Sequence, residues 1–258
     1  MLHTTYDFIS QILYTKYHIL TMRSVSIIIP ALNEELFLPR LLESIQNQTY
    51  KPKEVIVADS FSKDNTRKIA KEYGCRIANG AAHPAGARNN GAKAATGDVL
   101  LFLDADVMLP EQFLEKNLAE FEQRNLVEAS CLPAPISKNI FDHIGAIIIN
   151  NFFKLIYILK PHANGFCIFA KRDVHQKIGG FDETLTLTED HDYAFRANKL
   201  GKTGFLHSMD IPMSIRRYKE EGKIRTTLKY TLIELHWLFL GKIRKNFFTF
   251  EFGRHYER

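Results

Sequence analysis

The chain has 258 residues, 45% hydrophobic and 24% charged, the balance of a globular protein large enough for one well-buried α/β domain or one domain with an appended piece, which excludes long disorder. Its three cysteines, Cys75, Cys131 and Cys167, are far apart, odd in number and without paired ligand spacing; they exclude a disulfide framework and a zinc site and fit a reducing cytoplasm, and no secretory signal is expected. The net charge of +5 is entirely C-terminal: residues 1–215 carry 23 Lys and Arg against 24 Asp and Glu, whereas residues 216–258 carry 11 against 5.

Residues 1–22 mix aromatic and polar side chains and read as an N-terminal extension, either an accessory helix or an upstream start codon. Val25–Pro30 is a β-rich apolar run, and Leu38, Leu41, Leu42 and Ile45 follow at helical spacing. Val55–Ala58 is a second short strand. Asp64–Tyr73 reads as a helix that Gly74 stops. Arg76–Ala78 is a third strand, Gly86–Thr96 a helix, and Val99–Leu103 a central strand. Pro110 suits the first turn of a helix over Glu111–Arg124.

Strands and helices alternating at this spacing predict right-handed crossovers and a mostly parallel sheet covered on both faces. Ligands of such sheets bind at the carboxyl ends of the strands. Pro30-Ala31-Leu32-Asn33-Glu34, Asp59-Ser60 and Asp104-Ala105-Asp106 each follow a strand, so three polar clusters are expected to converge on one rim.

Beyond residue 130 the alternation weakens. Residues 144–159 predict a buried or interfacial helix rather than a membrane span, because Asn150, Asn151 and Lys154 interrupt them. Asn164–Ala170, Gly179-Gly180-Phe181-Asp182-Glu183 and a helix over Glu189–Leu200 follow, then a strand over Thr203–Leu206. The tail interleaves bases with Tyr230, Leu232, Ile233, Leu235, Trp237, Leu238, Phe239 and Leu240, broken by Lys229, Glu234 and His236. It is too short and interrupted to cross a bilayer. Two readings stay open: a helix lying on an anionic membrane surface, or one packed on the core with a basic solvent face. Nucleic acid is not expected, since no recognition motif is present.

The stretch D-V-L-L-F-L-D-A-D carries the most chemistry. It delivers two carboxylates, Asp104 and Asp106, at the exit of a buried strand. Hard cations such as Mn²⁺ or Mg²⁺ favour such ligands, with diphosphate oxygens and water completing the shell. The alternative is two solvated aspartates opening a turn before Pro110. No G-x-x-x-x-G-K-[ST] loop is present to cradle phosphates, so a metal is expected to neutralise them.

Laid in order, these segments resemble the inverting family-two glycosyltransferases of the GT-A fold, over residues 24–217. V-S-I-I-I-P-A-L-N-E-E is similar to that family's first strand and nucleotide-contacting turn, which implies donor contacts for Pro30, Ala31, Asn33 and Glu34. V-I-V-A-D-S-F-S-K-D-N-T resembles the second block, commonly D-D-G-S-x-D-x-T; Ser60 and Phe61 replace Asp and Gly. Asp59 remains, and the resemblance implies that it accepts a hydrogen bond from the base. G-A-R-N-N-G-A-K-A-A-T-G-D-V-L-L-F-L-D-A-D resembles the third block and implies donor binding by Arg88, metal coordination by Asp106, and a place near the ribose or a metal-bound water for Asp104.

G-G-F-D-E and T-E-D-H-D-Y-A-F-R look like acceptor-side elements, with Asp190 at the position of the catalytic base and Gly165, Glu189 and Arg217 on the acceptor side. Glu189 and Asp190 open a helix, where capping is their alternative role. His207, beyond a strand, is either a further metal ligand, as in some relatives, or structural. Arg216-Arg217-Tyr218 only loosely resembles the Q-x-x-R-W element of processive synthases, so polymer synthesis coupled to export is not expected.

The resemblance implies an N-terminal extension (1–22), a GT-A domain (23–217, with 23–130 the nucleotide half and 131–217 the acceptor half) and a basic amphipathic helical tail (218–258). It implies a metal-dependent inverting transferase that takes a sugar from a UDP- or GDP-linked donor to a lipid-linked or glycan acceptor. It would work in the cytoplasm, peripherally on the membrane face. Two alternatives are a catalytically silent membrane-associated scaffold of the same fold, and a sugar-phosphate nucleotidyltransferase. The latter expects a glycine-rich basic loop after the first strand, where A-L-N-E-E stands.

Overall fold

The computed structural model describes residues 23–214, 218 and 221–244; the expected N-terminal extension, Arg216, Arg217 and residues 245–258 lie outside them. The first strand, β1 (Val25–Ala31), is apolar but for Ser26. Val25, Ile27, Ile28 and Ile29 are all fully buried, as a parallel strand covered on both faces requires. Helix α1 (Leu38–Gln46) turns the expected four residues, Leu38, Leu41, Leu42 and Ile45, inward. Then come β2 (Glu54–Asp59), α2 (Thr66–Glu72), β3 (Arg76–Asn79), α3 (Pro84–Ala94) and β4 (Val99–Leu103). Gly74 follows α2 at φ +74°, a left-handed conformation that ends a helix at little steric cost.

Helix α4 (Phe113–Gln123) begins later than expected. Pro110 precedes it, its carbonyl accepting from the Phe113 amide. The second half consists of β5 (Glu128–Ser130), β6 (Pro133–Pro135), α5 (Ile140–Leu159), β7 (Cys167–Lys171), α6 (Arg172–Lys177), α7 (Glu189–Ala197), β8 (Thr203–Phe205), β9 (Ile211–Met213) and α8 (Lys223–Leu240).

Seven strands form one sheet in the order β3-β2-β1-β4-β7-β5-β8, and β6 pairs with β9 apart from it. β1, β2, β3 and β4 are mutually parallel, while β7 runs antiparallel to both β4 and β5. This single reversal shapes the site. The carboxyl ends of β1, β2 and β4 share one rim, and the amino end of β7 arrives there too, with Cys167 opposite Leu103. Side chains alternate between the faces: Ile27 and Ile29 join a core with α1 and α4, and Ile28 joins another with α3 and α7.

Two helices break the pattern of burial. Of α5 only Ile156 is buried, and Ile140, Phe141, Ile144, Ile147, Ile148, Leu155, Ile158 and Leu159 are exposed. Of the two alternatives, buried or interfacial, this exposure excludes the buried one. Asn139 caps a start four residues earlier than Ile144, which makes the helix long and apolar enough, by length and composition, to cross a membrane. Helix α8 has two faces. Ile233, Glu234 and Trp237 are buried, while Ile224, Leu228, Leu232, Leu235 and Phe239 are exposed. One face packs on the core, as one reading of the tail expects, but the open face is apolar where that reading expects a basic one.

Candidate active site

Asp104 is the first residue past β4, and its amide donates to the Phe166 carbonyl ahead of β7 (3.1 Å). That bond brings Gly165 to the same rim. Arg88, buried on α3, fills the space between. Its guanidinium donates to Asp104 Oδ1 (3.0 Å), Glu189 Oε1 (2.9 Å) and the Gly165 carbonyl (3.1 Å), and lies over the Phe181 ring. Arg88 therefore ties β4, the β7 approach and the first turn of α7 into one cluster.

The Asp104 side chain keeps 40% of its surface exposed. Desolvation in the cleft raises its pKa to about 6; Arg88 opposes this and the neighbouring Asp106 charge reinforces it. Asp106 is half-buried. Its backbone is clamped by β9, whose following residue Ser214 donates to the Asp106 carbonyl (3.3 Å). Asp190, the second residue of α7, is placed by Gly165: a Cβ there would meet Asp190 Oδ2 at 2.8 Å and Arg88 Nη2 at 3.5 Å. Only glycine allows that approach. Burial alone would raise the Asp190 pKa, but the positive charge and hydrogen bonds of His191, then the charge of Arg88, hold it below the ordinary carboxylate value. The structure thus brings Arg88, Asp104, Gly165, Glu189 and Asp190 together, with Asp106 one residue beyond Ala105.

At the other end of the rim, the loops after β1 and β2 are laced to each other. The Asn33 amide donates to Ser62 Oγ, its side chain accepts from the Lys63 amide, and the Glu34 amide donates to Thr66. Asn33 is left-handed at φ +55°. The Ser60 amide donates to the Ala31 carbonyl, just after Pro30. Asp59 is buried; Arg67 holds its Oδ2 at 3.0 Å, and its Oδ1 is a buried acceptor with no partner.

Residues 26–179 match the family profile of glycosyl transferase family 2. The chain belongs to that family. A 4,4'-diaponeurosporenoate glycosyltransferase of Staphylococcus haemolyticus is 36% identical over 139 residues, 49% of this chain and 36% of that protein, so the chain spans about a third of that relative's length. Among solved structures, the mannosyltransferase PcManGT from Pyrobaculum calidifontis, in complex with GDP-Man and Mn²⁺, superposes with TM-score 0.60 at 19% identity, over 91% of this chain and 79% of its own. S. aureus TarS 1–349 in complex with UDP-GlcNAc gives 0.59 at 21% identity, over 75% of this chain and 59% of its own. At such identities the likeness is one of fold, and the fold is GT-A.

In this family member, His207 stays outside the cluster. It is exposed, and its amide donates to Glu120 of α4. Among the described residues no group of three or more His, Cys, Asp or Glu forms a ready metal cage; Asp104 and Asp106 stand as a pair. The expected acceptor-side Arg217 lies outside the described residues.

Sequence reasoning missed three residues behind Asp190. His191 Nδ1 lies 2.9 Å from Asp190 Oδ1, and its Nε2 lies 2.8 Å from Glu234 Oε1 on α8. His162 stands beside both, 5.1 Å from the His191 ring and 4.0 Å from Glu234 Oε2. The available signal was Glu234 itself: the lone acid of a helix whose other charged side chains are basic, three residues before Trp237, is misplaced unless something inside receives it. Asn89 was missed as well. Its side chain bonds the Phe181 amide and carbonyl and Glu183, which fastens the G-G-F-D-E turn onto α3.

Proposed function

We propose that the chain is a metal-dependent, inverting glycosyltransferase that moves one sugar from a UDP- or GDP-linked donor to a lipid-linked or glycan acceptor at the cytoplasmic face of a membrane. One observation carries this reading. Arg88 bridges Asp104 to Gly165 and Glu189, and Asp190 Oδ2 lies against Gly165, so the end of the D-A-D strand and the start of α7 meet at one guanidinium.

The donor set fits a divalent ion. Two carboxylates one residue apart, mutually repelling enough to help raise Asp104, are hard oxygen ligands on a partly exposed rim. Asp106, with Asp104, would hold Mn²⁺ or Mg²⁺, whose charge would offset the charge developing on the leaving diphosphate. Asp59 supports the base end of the donor: its unpartnered Oδ1 is an acceptor that a nucleobase N–H satisfies. The turn at Pro30, Ala31, Asn33 and Glu34 borders that end.

Asp190 accepts the proton of the incoming hydroxyl. Its ionised form, kept despite burial, is the one a general base needs. Attack from its side, opposite the diphosphate, inverts the anomeric carbon. Residues 23–217 form the proposed transferase domain, with the nucleotide half to residue 130. The exposed faces of α5 and α8 support contact with a membrane and with a lipid-linked acceptor. Described bases of the tail are engaged: Lys223 with Asp142, and Lys242 with Asp182 and Asp192. The apolar faces therefore carry more of the proposed contact than charge does.

Thermal-shift measurements with UDP-glucose, UDP-N-acetylglucosamine and GDP-mannose, each with Mn²⁺ or with EDTA, test the donor half. A melting-temperature rise confined to one nucleotide family and lost in EDTA is expected, since a ligand that binds only the native state stabilises it. No rise with any donor overturns the reading. Flotation with vesicles tests the membrane half: binding to neutral as well as anionic vesicles is expected, and absence from both contradicts it.

A further inference from the structure

The polar groups behind Asp190 have no part in the reaction as proposed, yet they are the most deeply buried ionisable cluster near it. The His191 ring stands between two carboxylates: Nε2 is hydrogen-bonded to Glu234 Oε1 at 2.8 Å, and Nδ1 lies at ion-pair distance, 2.9 Å, from Asp190 Oδ1. The His191 and Glu234 side chains are only 7% and 6% exposed. Trp237 closes the back, its ring edge-on to His191 at 5.6 Å, and Lys160 donates to the Trp237 carbonyl and lies over its ring. A buried line of charges stabilises a fold less than apolar residues of the same volume would. Its orienting power is the better explanation. An imidazole held by a carboxylate on one side fixes whatever the other nitrogen holds, as in hydrolase triads.

We propose that Glu234, acting through His191, is a positioning residue for Asp190, so that helix α8 is part of the catalytic apparatus and not an appended tail. This rests on the reading of Asp190 as the base. The His191 backbone amide donates to Asp190 Oδ1 at 2.8 Å, and the charge of its ring sits 2.9 Å from the same oxygen, which leaves Oδ2 on the Gly165 side. Oδ2 is thereby the oxygen left free of His191.

The charges facing Asp190 come from every element around it: His191 and Glu189 on α7, Arg88 on α3, Glu128 on β5, and Glu234 on α8 with His162 ahead of β7. Burial, then the Asp190 charge, push Glu128 well above the usual carboxylate range, so it stays protonated. Burial, then His191, hold His162 down at about 4, so it stays neutral. For His191, burial acts downward, but Glu234 and Asp190 outweigh it and raise the ring well above the ordinary histidine value. Asp190 therefore keeps its charge chiefly through His191, and His191 through Glu234.

The test is Glu234→Gln in the full chain, assayed by hydrolysis of UDP-glucose, UDP-N-acetylglucosamine and GDP-mannose with Mn²⁺. Expected are a fall in kcat of between about 10- and 100-fold with donor KM unchanged, and an acid limb of the kcat profile displaced to higher pH. In a His191→Gln background the further loss on adding Glu234→Gln should vanish, because residues acting through one another do not add. Unchanged kcat and pH profile in a folded Glu234→Gln protein overturn the inference. Asp190→Asn separates the two claims: if it remains active the base assignment fails, whereas if it is inactive and Glu234→Gln is normal, only the positioning role fails. Should Glu234→Gln not fold, ¹⁵N spectra of the wild-type imidazoles decide. A His191 ring that stays doubly protonated above the ordinary histidine range is expected, and a ring that loses its proton within that range contradicts the proposal.

Discussion

Asp104 and Asp190 stand on either side of one guanidinium, and the protein treats their charges in opposite ways. Desolvation, reinforced by the neighbouring Asp106 charge, outweighs Arg88 and raises the Asp104 carboxyl to about 6, although part of its surface stays open. Asp190 is buried, yet His191 and Arg88 hold it below the ordinary carboxylate value. A carboxylate pair that repels itself on an open rim is set up to receive a cation. A buried carboxylate kept ionised by a fixed positive neighbour is available as a proton acceptor without first shedding a proton, at some cost in basicity. The difference between the two acids is the difference between the two proposed roles.

Substitutions that break this contrast have graded effects. Asp190→Asn keeps the shape and removes the base; kcat should fall by on the order of 10²- to 10⁴-fold, measured by single turnover with donor saturating, and a normal rate would remove Asp190 from the chemistry. Arg88→Met takes the shared partner from both sides and leaves buried acids uncompensated. A loss of about 3 kcal/mol or more in denaturant unfolding is expected, against no change if Arg88 were an ornamental surface residue.

His175 sharpens the contrast between charged and neutral histidines on the same helix layer. It packs against Tyr193 of α7 with no carboxylate beside it, and burial, then Arg196, hold it down at about 4. The unfolded chain takes up that proton near 6.5 and the folded one does not, so stability falls as pH drops from 6.5 to 4, by about 3 kcal/mol. His175→Gln should remove that share of the slope in urea titrations across this window. His191 has the opposite sign. Its contribution is complete below about 6.5 and fades as pH rises through its higher folded value. Gly165→Ala is the mildest change. Its Cβ, 2.8 Å from Asp190 Oδ2, should displace the carboxylate and lower turnover by on the order of 10-fold while unfolding stays cooperative; full activity would show that Asp190 tolerates the shift.

The first half of the chain was legible because its signals are local. β1 and β4 are apolar runs, α1 has four inward residues at helical spacing, and the three polar clusters follow strands whose direction parallel pairing dictates. The second half was not. β5, β6, β8 and β9 have three residues each, too short for any period to register, and the reversal of β7, which brings Gly165 to the rim, leaves no mark on composition. His162, His191 and Glu234 lie in three separate segments, and what unites them is packing across the sheet. Glu234 read as an interruption of an apolar run because its partner on α7 is invisible from α8. The same distance effect left α5 open between buried and interfacial: composition allows both, and only the packing around it, which buries Ile156 alone, decides.

Calorimetry of donor binding with and without Mn²⁺, on Asp106→Ala and Asp190→Asn side by side, tests the division of labour most directly. Asp106→Ala should lose the Mn²⁺-dependent part of the affinity, and Asp190→Asn should retain it in full. Loss of that part in Asp190→Asn, or its survival in Asp106→Ala, would contradict the assignment of a cation to one side of Arg88 and a base to the other.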